Sequence, residues 1–81
     1  MDMKLKDKRI FITGGTSGIG LAAAKLFLAE GAKVVIMGRS ASRGKQALSE
    51  IANPNCYFFS GDVRSLADCQ RVISEAALKL G

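Results

Sequence analysis

Eight residues near the amino terminus, Thr13-Gly14-Gly15-Thr16-Ser17-Gly18-Ile19-Gly20, hold four of the nine glycines of the chain. A pyrophosphate site needs this composition in one place. One glycine permits a tight turn out of a strand, others let backbone approach the ligand, and free amides at a helix start face its negative charge. The string by itself reads as readily as a plain loop. Its context favours phosphate, because apolar Ile10, Phe11 and Ile12 precede it and helix-favouring residues from Ile19 to Glu30 follow it. The spacing is not Gly-x-Gly-x-x-Gly, and no Gly-Lys-Ser/Thr closes it as in a P-loop, which removes the ATPase reading.

Other chemistries lack their residues. The chain has no histidine. Serines at 17, 40, 42, 49, 60, 65 and 74 therefore have no imidazole to activate them, and cysteine catalysis fails for the same reason. Cys56 and Cys69 show neither a metal-ligand spacing nor a redox pair, so no metal is expected. Asp62 and Asp68 as the paired acids of a glycosidase are better explained by separate structural roles. Twelve Lys and Arg against seven Asp and Glu leave a net charge of +5, which favours anionic partners. The basic residues are scattered without interleaved aromatics, so nucleic acid is not an expected partner. No signal peptide and no membrane-spanning run are present, and the expected setting is cytoplasmic, with no membrane partner.

The elements that must hold the glycine-rich turn are short. Arg9 to Thr13 is the expected first strand, its Ile10, Phe11 and Ile12 suited to burial on both faces. Leu21 to Ala29 favour a largely buried helix, with Gly31 placed to cap it. Lys33 to Met37, carrying Val34, Val35 and Ile36, is the second strand. Gly44, Ala47, Leu48 and Ile51 recur at helical spacing behind a Ser40 or Ser42 cap, and Asn53-Pro54-Asn55 breaks the pattern. Cys56 to Ser60 is the third strand. Ser65-Leu66-Ala67-Asp68 then carries a capping-box signature, and Leu66, Cys69, Val72, Ile73, Ala76, Ala77 and Leu80 form the apolar face of a last helix. The order β-α-β-α-β-α with short connections implies a parallel sheet with right-handed crossovers. Eighty-one residues make at most one small domain with a marginal core, and a hydrophobic content of 48% predicts that it folds.

Thr13 to Gly20 resembles the Thr-Gly-x-x-x-Gly-Ile-Gly pattern of the short-chain dehydrogenase/reductase family. The resemblance covers the whole chain: Lys33 to Arg39 is similar to the family's second strand, and Gly61-Asp62-Val63 to the Asp-Val pair ending its third. It implies an α/β fold, a Rossmann-like parallel sheet of which residues 1–81 supply only the leading β-α-β-α-β-α portion of a doubly wound fold. They would form the front of a single, incomplete NADP(H)-binding domain. It also implies that Gly14, Thr16, Ser17 and Ile19 contact the phosphates and ribose of a dinucleotide, with Gly18 and Gly20 keeping the turn close. Asp62 would accept a hydrogen bond from the adenine amino group and Val63 would pack on the ring. The alternative is that Asp62 caps the following helix and Val63 is core, with Ser65 as a rival cap.

Cofactor preference is read at the end of the second strand. NAD-preferring relatives place a carboxylate there for the ribose hydroxyls; here the position is Gly38. Arg39 follows and can offer a 2′-phosphate a planar, bidentate set of donors, with the Ser40 hydroxyl beside it. An ordinary exposed arginine is the alternative, and the Gly38-Arg39 pair tips the reading to NADP(H) over NAD(H). The family's later Asn-Asn-Ala-Gly and Tyr-x-x-x-Lys segments do not occur. Tyr57, the one tyrosine, has Gly61 four residues on. No catalytic residue is expected within residues 1–81, which alone should be inactive. The resemblance implies carbonyl/alcohol interconversion on a small molecule by the complete protein, expected as a homo-oligomer. A standalone nucleotide-binding or regulatory module is the second reading, disfavoured because it would leave the edge of the first strand unpaired.

Overall fold

A computed structural model describes residues 5–14, 16 and 18–81. In chain order the elements are β1 (Arg9–Thr13), α1 (Gly18–Ala29), β2 (Lys33–Gly38), α2 (Ala41–Ile51), β3 (Cys56–Ser60) and α3 (Leu66–Leu80). The strands form a parallel sheet in the order β1-β2-β3. Ile12 pairs with Ile36 and Ile36 with Phe58, while Phe11, Val35 and Tyr57 make the adjacent row. Strand alternation sends these rows to opposite faces. Ile10, Ile12, Val34, Ile36 and Phe58 pack with Ala24 and Leu28 of α1 and Ala47 of α2, whereas Val35, Tyr57 and Phe59 meet Ala76 and Leu80 of α3. Both faces of β2 are thus covered, which is why Val34 to Met37 is an uninterrupted apolar run and is fully buried.

Local signals end the helices. Gly31, at φ 89°, occupies the left-handed region after α1, and its N–H donates to Leu28 O at 3.0 Å. Ser40 is the cap of α2, its Oγ accepting from Arg43 N at 3.2 Å. Ala52, at φ 50°, closes that helix one residue before Asn53. α2 lies so close on β3 that a Cβ at Gly44 would enter the ring of Phe58.

Three burial expectations need correction. β1 is not buried on both faces, since Phe11 remains 37% exposed. In α1 only Ala24 and Leu28 are buried, and Leu26 is exposed. In α3 the buried residues are Val72, Ala76 and Leu80, while Leu66 and Ile73 are exposed. The causes are shared: two helices cover the sheet face that α1 would otherwise cover alone, and among the described residues no strand lies beyond β1. Arg9, Ile10, Phe11, Ile73, Ala76, Ala77 and Leu80 consequently line an open apolar cleft of about 360 Å³.

Candidate functional site

The three strands are parallel, so their carboxyl ends and exit loops share one rim of the sheet. Two backbone hydrogen bonds carry the ladder past the strands: Gly14 N donates to Met37 O and Gly61 N to Gly38 O, each at 2.9 Å. These bonds hold the exit loops together around a cleft of about 330 Å³ lined by Gly14, Met37, Gly38, Arg39, Gly61, Asp62, Val63 and Arg64. In open parallel sheets ligands bind outside the carboxyl ends of the strands.

Glycines leave this rim room. Gly14 and Gly18 have φ of 72° and 60°, in the left-handed region, and a Cβ at either would meet nothing within 4 Å. A side chain at Gly14 would therefore fill space that the cleft now leaves open. At Gly38 the situation is opposite, because a Cβ would come to 3.3 Å from Thr16 Cγ2. Gly61 lies against the core, where a Cβ would approach Met37 Cε to 2.7 Å and Val72 Cγ2 to 3.3 Å. Its small size lets the loop carrying Asp62 settle onto α3.

Asp62 is fixed at both backbone and side chain. Its N–H donates to Asp68 Oδ2 at 2.8 Å. Its Oδ1 accepts from Arg64 N at 2.9 Å and Arg64 Nε at 3.1 Å, and its Oδ2 accepts from Arg64 Nη2 at 3.0 Å. The hydrogen bonds from the Arg64 side chain and then its amide hold the Asp62 carboxyl below the usual carboxylate range, and the positive charge of Arg39 adds to the effect. The same pairing raises Arg64. Asp62 does not cap α3; Ser65 does, its Oγ accepting from Asp68 N at 3.2 Å. The capping box is made only on that side, because Asp68 turns its carboxylate to the Asp62 amide. Val63 is 53% exposed on the cleft and is not core.

The structure thus brings Gly14, Arg39, Asp62 and Val63 to one cleft, with Thr16 at its edge beside Gly38. Gly18, Ile19 and Gly20 lie in the first turn of α1, outside the cleft lining, and Ile19 is 90% exposed. Ser40 is also outside the lining: its Oγ accepts the cap bond and sits 3.1 Å from Ser42 Oγ. Ser17 falls outside the described residues. Reading the sequence missed Arg64, Gly61 and Met37 as cleft residues. For Arg64 a signal exists, since an aspartate readily turns its carboxylate onto the amide two residues on, which puts that residue's side chain within reach.

Elsewhere, burial pushes the Cys56 thiol up, so it is not poised as a nucleophile. Among the described residues no group of three His, Cys, Asp or Glu could hold a metal ion, and no helix is long and apolar enough to cross a membrane.

A sequence model described as short chain dehydrogenase matches residues 8–81. The chain is similar to a cis-2,3-dihydrobiphenyl-2,3-diol dehydrogenase of Paraburkholderia xenovorans, with 40% identity over 98% of this chain and 28% of that protein. It is also similar to an NADP-dependent (R)-specific alcohol dehydrogenase of Lentilactobacillus kefiri, with 49% identity over 73% of this chain and 23% of the relative. Among solved structures, a 3-ketoacyl-(acyl-carrier-protein) reductase from Brucella melitensis complexed with NADH superposes with a TM-score of 0.88 at 34% identity, over 95% of this chain and 31% of that one. The chain therefore spans under a third of the length of each of these proteins.

Proposed function

This chain belongs to the short-chain dehydrogenase family, and we propose that it is the NADP(H)-binding front of an oxidoreductase that interconverts a carbonyl and an alcohol on a small molecule. The observation that carries this reading is the meeting of Gly14, Arg39, Asp62 and Val63 in one cleft at the carboxyl rim of a parallel sheet. In this reading Asp62 accepts from the amino group of the adenine and Val63 packs on the ring. Gly14, Thr16, Ser17, Gly18, Ile19 and Gly20 take the pyrophosphate and ribose, where backbone amides and the start of α1 favour negative charge.

The preference for NADP(H) rests on Gly38 and Arg39. The two relatives named with a cofactor divide, one being NADP-dependent and the other complexed with NADH. In this chain the space next to Gly38 is taken by Thr16, which disfavours a carboxylate there, and Arg39 offers a charged fork for a 2′-phosphate with the Ser40 hydroxyl nearby. The nicotinamide supplies hydride chemistry when the cofactor is bound. Residues 1–81 contribute binding and orientation at the adenosine end, and proton transfer falls to the remainder of a homo-oligomeric protein. Titration of the complete protein with NADPH and NADH tests this: NADPH is expected to bind at least roughly 10-fold tighter, the effect of one charge-assisted contact. Equal affinities would remove the 2′-phosphate assignment.

A further inference from the structure

We propose that Arg64 is a positioning residue for purine recognition, pinning the Asp62 carboxylate so that one acceptor position is left to the cleft, matched to one N–H of a 6-amino purine. This rests on the adenine-binding reading above and adds to it a residue and a selectivity.

An ionised carboxylate offers about four lone-pair positions. Arg64 N and Nε occupy both on Oδ1, and Arg64 Nη2 occupies one on Oδ2. Among the described residues, one position on Oδ2 is left without a donor. The backbone is held as well, since Asp68 Oδ2 grips the Asp62 amide and Asp62 O accepts from Ser65 N at 2.9 Å. Together these contacts favour one orientation of the carboxylate over the others. A purine with an amino group at its 6-position can donate to the remaining site. A purine with a carbonyl there, as in hypoxanthine, sets an acceptor against an acceptor and leaves Asp62 unmet.

The charged groups around Asp62 fit this role. Arg64 faces it from its own loop and Arg39 from the end of β2. From α3, Asp68 meets the Asp62 amide, and Arg71 is drawn to Asp68, Glu75 and Ser60 O. The side chain of Arg64 is 73% exposed while that of Asp62 is 31% exposed. The guanidinium therefore clamps from the solvent side, and Arg64→Ala removes the clamp without opening the core.

The test compares NADPH with its hypoxanthine analogue, nicotinamide hypoxanthine dinucleotide phosphate, on the complete protein. The wild type is expected to prefer NADPH by roughly tenfold, as for one hydrogen bond to a charged group. Arg64→Ala should weaken NADPH selectively and reduce that preference to near unity. It should also raise the pH at which binding of NAD+, which has no 2′-phosphate to titrate, is lost on acidification, because the carboxyl regains its ordinary affinity for protons. Arg64→Lys, which keeps the charge but not the fork, should recover part of the pH effect and little of the preference. Equal weakening of both dinucleotides by Arg64→Ala would assign Arg64 to a phosphate and overturn the proposal, as would no change in either. A wild type that binds neither dinucleotide would instead sink the functional reading itself.

Discussion

Two concave surfaces of similar volume, about 330 Å³ at the carboxyl rim and about 360 Å³ beside β1, are built by opposite means. The rim is held together by backbone and charged groups bonded to one another, the Gly14–Met37 and Gly38–Gly61 bonds, the Asp62–Arg64 pair and the Asp68 tether, with Arg39, Met37 and Val63 completing its lining. The other is made of apolar side chains beside an open strand. Lys8 O and Gly14 N are both bonded to β2, so the alternation of a parallel ladder turns the N–H and C=O groups of Arg9, Phe11 and Thr13 to the open edge. The rim is therefore assembled from local contacts within about 50 residues of chain, and its geometry is set whether or not the sheet extends further. The edge is a surface whose stability depends on what covers it. Size alone does not separate them; hydrogen bonding does.

The sharpest way to break this contrast is at Arg39. If the rim is a preformed 2′-phosphate site, Arg39→Ala in the complete protein should weaken NADPH by roughly 10- to 150-fold, the worth of a charge-assisted hydrogen bond of about 1.5–3 kcal/mol. NADH should be almost unaffected. Calorimetric titration with both cofactors reads the difference, and equal losses would remove the assignment.

Next in size is the support beneath the rim. Gly44→Ala drives a methyl into the Phe58 ring, and overpacking of this kind costs about 1–3 kcal/mol, reduced by up to about 1 kcal/mol because alanine favours the helix. Chemical denaturation of the complete protein should show the loss. An unchanged midpoint would mean that α2 moves off β3 without cost.

A smaller effect concerns acid. The folded-state affinity of Asp62 for protons is depressed by Arg64, so its contribution is present above the ordinary carboxylate range and is lost as pH falls through the depressed value. The affinity for NAD+, which carries no 2′-phosphate to titrate, should hold steady across mildly acidic pH and fall only below the usual carboxylate range. A midpoint near neutrality would assign the titration to another group.

The smallest effect belongs to the edge. In residues 1–81 alone, the amides of Arg9, Phe11 and Thr13 should exchange with solvent faster than those of Val34 to Met37, and no NADPH oxidation should accompany any carbonyl substrate. Protection of the β1 amides equal to that of β2, with no self-association by size-exclusion chromatography, would erase the contrast between the two surfaces.

Much of this fold was legible because its signals are local. Val34 to Met37 is apolar at every position and became a doubly covered strand; Ser40 and Ser65 begin their helices, and Gly31 closes its own, where their chemistry suggested. Exposure was less legible, because composition cannot say what lies opposite a side chain: Phe11 and Ile73 look like core and face a cleft. At the rim, Gly14, Asp62 and Val63 were singled out by the resemblance to the family's motifs, and Arg39 by the Gly38-Arg39 pair; the structure brings the four to one cleft. Arg64 was passed over, because a lone arginine after a strand is usually solvated; its signal lay in the aspartate two residues before it, whose carboxylate turns onto the Arg64 amide and side chain.

The half-made capping box of α3 ties that helix to the loop before it. By bonding to the Asp62 amide, Asp68 makes the helix start and the loop carrying Asp62 one mechanical unit. If the proposed adenine site is right, a substitution that frays the first turn of α3, such as Ser65→Ala, would weaken nucleotide binding while the sheet remained intact, so that binding strength acts as a gauge of order at the end of a helix.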